Sequence, residues 1–212
     1  MEFDFSTMPP NQCYKLLVSV VVPRPIALVT TLGEVGVVNA APFSFFNLMG
    51  DDPPILILSI ELKPNGMAKD TARNIAQQGE FVVNLVDEAT AERMHACSHD
   101  YPNDVSEVTA VGFTTSPSRA VAAPRITESP VALECKLYQT IHISPQRSLI
   151  IGQVVWLHSH EGVFDPQTLR VNMAHYFPVG RLYADRYVTT RDQFAAQGSP
   201  EYLAAVRSQG RL

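Results

Sequence analysis

Residues 39–47 read Asn-Ala-Ala-Pro-Phe-Ser-Phe-Phe-Asn. The small residues Ala40 and Ala41 let a flat molecule come close to the backbone. Phe43, Phe45 and Phe46 offer apolar contact to an aromatic ring. Asn39, Ser44 and Asn47 carry amide and hydroxyl groups that can hydrogen-bond the edge of a heterocycle. The same residues also suit a strand running into a loop, with the phenylalanines in the core.

Residues 63–75, Lys-Pro-Asn-Gly-Met-Ala-Lys-Asp-Thr-Ala-Arg-Asn-Ile, form a turn that leads into a helix start. Free backbone N–H groups and the helix dipole favour an anion at such a point. Lys69, Thr71 and Arg73 add cations and a hydroxyl donor. The alternative is a surface helix with solvated charges. Taken together, the two segments point to an aromatic ligand that bears a phosphate.

Other chemistries lack their motifs. There is no Gly-x-x-x-x-Gly-Lys-Ser/Thr loop and no Gly-x-Gly-x-x-Gly after a strand. The Gly-x-Ser-x-Gly elbow is missing, as are His-Glu-x-x-His and Cys-x-x-Cys. His95, Cys97 and His99 look metal-like, but on a helix Cys97 points away from the histidine pair and a fourth ligand is lacking. A helix end is the plainer reading, and no metal site is assigned. His158 and His160 alternate on one strand and read as hydrogen-bonded or solvated side chains. Cys135 reads as a small core residue.

The elements that position these segments are mostly strands. Residues 26–32 are β-branched and stop at Gly33-Glu34-Val35-Gly36, and a second apolar stretch starts at Val37, which predicts a hairpin. Residues 55–60 form an apolar run after Asp51-Asp52-Pro53-Pro54, expected as a strand buried on both faces. A short helix is expected over 67–77, stopped by Gly79, then a strand from Phe81 to Val86. Asp87 is placed to cap a helix over 89–97. Residues 98–130 read as irregular. Long strands follow over 131–143 and 149–158, and Ser199-Pro200-Glu201 opens a terminal helix. Strands outnumber helices and the parallel βαβ rhythm is missing, so the residues predict an all-β barrel with a few covering helices.

The chain has 212 residues, 46% hydrophobic and 17% charged, with 16 prolines and 11 glycines. One domain covering 1–212 is expected at this length, with a C-terminal helical extension at about 190–212. A net charge of −5 argues against a nucleic-acid partner. No apolar stretch is long enough to span a membrane. The acidic start, Met1-Glu2-Phe3-Asp4, does not read as a secretory signal. Three widely spaced cysteines suggest no disulfide framework, and a cytoplasmic location is expected.

Several stretches recur in an order that resembles a known family. They are Pro23-Arg-Pro-Ile-Ala-Leu-Val-Thr-Thr31, Asn39–Asn47, Lys69-Asp-Thr-Ala-Arg-Asn-Ile75 and Phe81-Val-Val-Asn-Leu85. Ser129–Cys135, Ile150–Val154 and Pro178-Val-Gly-Arg-Leu182 with Tyr187 continue the pattern. In combination, over residues 10–190, they resemble the flavin reductase-like family of FMN-binding split barrels. The sequence departs from the commonest family pattern at Gly180-Arg-Leu-Tyr-Ala184, where many relatives have Arg-Leu-Gly-Gly.

The resemblance implies a mainly β, Greek-key split barrel that forms a homodimer, with FMN near the subunit interface. It places Thr30 and Thr31 along the ribityl and phosphate side. Asn39, Ala40, Ala41, Ser44, Phe45 and Asn47 would line the isoalloxazine, largely through backbone groups. Lys69, Asp70 and Thr71 would hold the phosphate end, with Arg24 as a helper. Arg181 lies in the late family motif and is expected near the flavin.

The implied activity is an FMN reductase that uses NADH or NADPH and supplies reduced flavin to a separate oxygenase. An FMN-containing electron-transfer protein of the flavoredoxin type and a non-catalytic flavin-binding module are the alternatives. Hydride transfer to a flavin needs orientation rather than a protein acid or base, so no catalytic residue is named. His142, His175 and Tyr176 are candidates to border a nicotinamide, or are structural.

Overall fold

The β-branched run after Pro25 forms strand β1 (Ala27–Leu32), which turns through Gly36 at φ +80° into β2 (Val38–Phe43). The computed structural model describes residues 1–102 and 104–194, together with 198, 204, 206 and 208. Ahead of β1 lies α1 (Pro10–Val20), and after β2 come β3 (Phe46–Asp51) and β4 (Pro54–Glu61). Helix α2 (Asp70–Gln78) ends at Gly79, whose φ of 71° closes the helix in the left-handed region that favours glycine. Next are β5 (Glu80–Leu85), α3 (Ala91–Ala96), α4 (Glu107–Ala110), β6 (Thr115–Ser116) and β7 (Arg125–Ile126). The long hairpin of β8 (Val131–Ser144) and β9 (Arg147–Ser159) precedes the short pair β10 (Val179–Arg181) and β11 (Tyr187–Thr189).

Seven strands make one antiparallel sheet in the order β2-β1-β5-β8-β9-β4-β3. Its two edges, β2 and β3, are consecutive in sequence and joined only by Ser44 and Phe45. The three Cα steps from Phe43 to Phe46 reach about 11 Å at most, far less than the width of a seven-stranded sheet, so the edges must approach and the sheet must curl into a barrel. The Ser59 amide donates to the Phe45 carbonyl at 2.9 Å and fixes the corner. The crossover through α2 carries the chain from β4 back to β1's other side and breaks the simple meander, as a Greek key requires.

The barrel interior is filled by alternate residues: Ala27 and Val29, Leu56, Leu58 and Ile60, Phe81 and Val83. The opposite face of β1 is also covered, because Leu28 packs with Val86, Met94, Val108, Phe113 and Ile126. Buried polar groups lock this outer layer. Asn84 donates to the Leu28 carbonyl (2.9 Å) and to Thr30 Oγ1 (3.0 Å), and its own oxygen accepts the Ile126 amide (2.8 Å). Glu134, fully buried on β8, accepts the amides of Arg119, Ala120 and Val121 and meets His158 Nε2 at 2.5 Å. That carboxylate pins the proline-rich loop onto the sheet.

Several expectations are corrected. Residues 10–20, for which the sequence predicts no element, form a helix with proline in its first turn. Residues 39–47 are not a strand entering a loop but two strands meeting at a two-residue corner. The run 55–60 is buried on one face only, since Leu56, Leu58 and Ile60 point inward while Ile55 and Ile57 are half-buried. Helix α2 begins at Asp70 rather than 67. His158 and His160 are hydrogen-bonded as expected, to Glu134 and the Thr127 carbonyl respectively. The helix expected to open at Ser199-Pro200-Glu201 lies outside the described residues. Among the described residues, no helix is long and apolar enough to cross a membrane.

Candidate functional site

Strand β2 is an edge strand, paired only with β1, so alternate backbone groups turn away from the sheet. The outward positions are Val38, Ala40 and Pro42. The Val38 carbonyl accepts Ser106 Oγ at 2.6 Å, and the Ala40 amide donates to Glu107 Oε2 at 2.9 Å. Pro42 has no N–H to leave unpaired, which suits it to this edge. The Ala40 and Pro42 carbonyls face outward by the same parity.

The start of α2 lies beside this edge. Asn39 Nδ2 donates to Thr71 Oγ1 at 3.0 Å, and both residues are nearly fully buried. Lys69 is the N-cap residue with no side-chain cap of its own, and its ammonium is 4.0 Å from Glu61. Lys63 holds Asp70 at 2.7 Å, and Arg73 pairs with the same carboxylate from the next turn. Burial works against Asp70's charge, but Lys63 and Arg73 outweigh it and hold the carboxyl below its ordinary value. Asp70 therefore keeps its charge, and Lys69 is the cation least committed to a partner.

These groups converge on a cavity of about 630 Å³ that includes Asn39, Ala41, Lys69, Asp70 and Thr71, within the usual range for a small-molecule site. A second cavity of about 550 Å³ holds Arg24, Ser44 and Arg181. The two share Pro42, Phe43 and Ser98 as walls and so lie side by side along β2. Phe45 and Asn47 lie around the corner, on an apolar groove of about 460 Å³ with Leu17, Val21 and Met49. Ala40 is fully buried behind the edge.

The remaining expected site residues are placed differently. Thr30 and Thr31 are fully buried and face opposite sides of β1. Thr30 donates to the Pro124 carbonyl (2.6 Å), and Thr31 accepts from Asn74 Nδ2 (3.0 Å). Arg24 spends its guanidinium on the carbonyls of Val18 and Val21, both at 2.7 Å, and of Leu182 at 2.5 Å. Arg181 donates to the Tyr187 hydroxyl and the Ala184 carbonyl. His142 pairs with Ser148 on the β8–β9 hairpin, and Tyr176 packs with Val131 and Val163. Neither lines the β2 groove, nor does His175.

Sequence reasoning missed Glu107, which lines the cavity and braces the β2 edge. Burial raises its carboxyl above the ordinary value, against the pull of the Ala40 amide. Its partner lies 67 residues away, so no local spacing signals it. Tyr14 and Lys15, which line the second cavity, lie on α1, a helix with only Val18 buried and so no apolar stripe to signal it. Of the metal-like trio, His95 Nδ1 lies 2.8 Å from the Tyr187 hydroxyl and Cys97 is buried in an apolar cluster. Burial, with Glu107 nearby, pushes the Cys97 thiol up to about 12, which removes it as a nucleophile at neutral pH.

The groove suits a flavin nucleotide on the chemistry of its donors. It offers the small Ala41 as a low wall, outward carbonyls at the strand edge, an aromatic flank at Phe43, and a helix start with Lys69 and Thr71 for a phosphate.

Comparison with known proteins agrees. The Flavin reductase like domain model matches residues 19–186. An uncharacterized protein of Aquifex aeolicus is 38% identical over 188 residues, covering 89% of this chain and 95% of that protein. The 2-nitrobenzoate 2-nitroreductase NbaA of Pseudomonas fluorescens superposes with a TM-score of 0.87 at 42% identity, over 94% of this chain and 97% of that one. Nitrilotriacetate monooxygenase component B from Bacillus cereus gives a TM-score of 0.87 at 30% identity, over 92% and 98%.

Proposed function

Because the chain belongs to the flavin reductase-like family, we propose that it is an FMN-binding oxidoreductase, an NAD(P)H-dependent flavin reductase able to serve a separate oxygenase. The observation that carries this reading is the groove along β2 with the start of α2 at one end. In it, Lys69 and Thr71 hold the phosphate, and Asn39, Ala41 and the outward carbonyls of β2 hold the ring system. Asp70 acts indirectly, by keeping Lys63 and Arg73 in place. Glu107 fixes the edge strand so that its carbonyls stay aimed outward.

FMN, when bound, supplies the hydride-accepting centre. The chain's own residues bind and orient it and shield one side from water. No protein acid or base is required, in keeping with a groove whose buried thiol is inert. Likeness to component B, an oxygenase component by its name, favours the role of electron supplier. Likeness to NbaA favours a second reading, in which bound FMN passes electrons directly to an organic acceptor.

A homodimer is part of the proposal. Around the apolar groove, Leu17, Val21 and Met49 are about half exposed or more, an apolar surface that a second copy would cover.

The test is anaerobic. Purified protein is mixed with FMN, NADH or NADPH is added, and loss of the blue flavin band is followed against a protein-free control. Catalytic bleaching with one donor is the expected result. No acceleration with either donor contradicts the reductase reading and leaves an electron-transfer or flavin-binding role.

A further inference from the structure

The cavity at the Arg181 end of the groove is more than the proposed flavin needs. It is lined by Lys15, Arg24 and Arg181, and no aspartate or glutamate among the described residues lines it. That is a marked local excess of positive charge in a chain of net charge −5. Its walls are aromatic: Tyr14, Tyr183 and Tyr187, with Phe43 shared with the flavin groove.

The three cations have different duties. Arg24 is buried and already engages three backbone carbonyls and, through Nε, Ser44 Oγ at 3.4 Å, so it contributes chiefly field. Arg181 is oriented by the Ala184 carbonyl and by Tyr187, whose ring lies 4.7 Å from its guanidinium carbon. The Tyr187 hydroxyl accepts from Arg181, which leaves its hydrogen for His95 Nδ1 at 2.8 Å. A guanidinium has more N–H groups than these two bonds use. Lys15 projects from the exposed side of α1. Burial, and with it the like charge of Arg181, lowers Arg24 from its ordinary value, so an anion here would relieve the repulsion between the two.

Resting on the FMN reading above, we propose that this cavity binds a small aromatic carboxylate, held by Arg181 and Lys15 through its carboxylate and by the tyrosines through its ring. A dinucleotide fits less well. Among the described residues, the lining has no aspartate or glutamate to hold a ribose 2′-OH, although its cations would also suit a dinucleotide's phosphates, so NADH is carried as the competing ligand in the test. The site would place an anionic aromatic beside the flavin across Phe43.

Benzoate is the probe, with benzamide as its neutral counterpart, titrated by calorimetry into the FMN-free and the FMN-loaded chain. Saturable benzoate binding is expected in both, with benzamide much weaker. Arg181→Gln should weaken benzoate by about tenfold to a hundredfold, and Lys15→Gln, on an exposed helix face, by several-fold. Lys136→Gln, on an exposed stretch of β8, should change nothing. FMN affinity should be retained in Lys15→Gln, which separates this site from the flavin groove. Failure of wild-type protein to bind FMN would sink the flavin reading alone, since the benzoate titration of the free chain stands independently. The proposal is overturned if benzoate does not saturate, if benzamide binds equally well, or if Lys15→Gln weakens NADH but leaves benzoate unchanged.

Discussion

At residue scale, two buried positions show how tightly the frame of the site is fixed. Gly152 sits on β9 where an added Cβ would collide with Phe81 Cζ and lie 3.3 Å from Cys135 Cβ, both in the barrel core. Gly152→Ala should therefore destabilise the chain by about 1–3 kcal/mol, read as a lower urea midpoint at unchanged slope. Glu134 is the second. Burial opposes its charge, but the His158 ring and the amides of Arg119 and Ala120 outweigh burial and hold the carboxyl below its ordinary 4.5. A depressed carboxyl stabilises the fold fully above its unfolded value, and the contribution fades as pH falls through the lowered value. Glu134→Gln puts an amide donor against backbone donors and should cost about 2–4 kcal/mol at pH 7. The gap in melting temperature between variant and parent should narrow below pH 4.5. A gap independent of pH would mean that the charge is not what holds the loop.

At the scale of elements, α2 carries a conflict between stability and binding. Its N-cap is Lys69, which makes no side-chain cap bond, although serine is favoured there. Lys69→Ser should add about 1 kcal/mol and raise the melting temperature by about 2–4 °C, while weakening FMN. A variant that melts higher and binds FMN as before would remove Lys69 from the phosphate site. The same element shows what the sequence made legible. Turn glycines at positive φ, Gly36 and Gly79, marked where β1 turned and α2 stopped, because only local backbone geometry was involved. Helix α1 is not legible in the sequence because Val18 is its single buried residue, so no apolar stripe reveals its period. Of the site, the β2 edge and the α2 start were readable as motifs. The brace from Glu107 and the separation of Arg24, Ser44 and Arg181 into a neighbouring cavity depend on contacts between distant parts of the chain. Thr30 and Thr31, adjacent in sequence, are both expected along the ribityl and phosphate side, and strand alternation sends their side chains to opposite faces of β1.

For the whole molecule, curling the sheet brings β3 and α1 together and leaves an apolar surface around the corner from the groove. Leu48 and Met49 on β3 are 64% and 57% exposed, and Val20 and Val21 at the end of α1 are 72% and 58% exposed. If a second copy covers this face, Met49→Glu should shift the chain from dimer to monomer by sedimentation velocity. FMN affinity would fall with it where the groove draws on the partner. A parent chain that sediments as a monomer at micromolar concentration would refute the dimer. The barrel itself does not depend on that outcome, since its core is built within one chain.

The central claim is that a flavin lies along β2 with its phosphate at the start of α2. Riboflavin is FMN without the phosphate, so comparing their affinities, in the parent chain and in Lys69→Gln/Thr71→Val, tests that placement directly. The expected result is that the parent prefers FMN by at least about tenfold and that the double variant loses the preference while keeping riboflavin affinity. Equal binding of the two flavins by the parent, or a preference untouched by the double substitution, would contradict it.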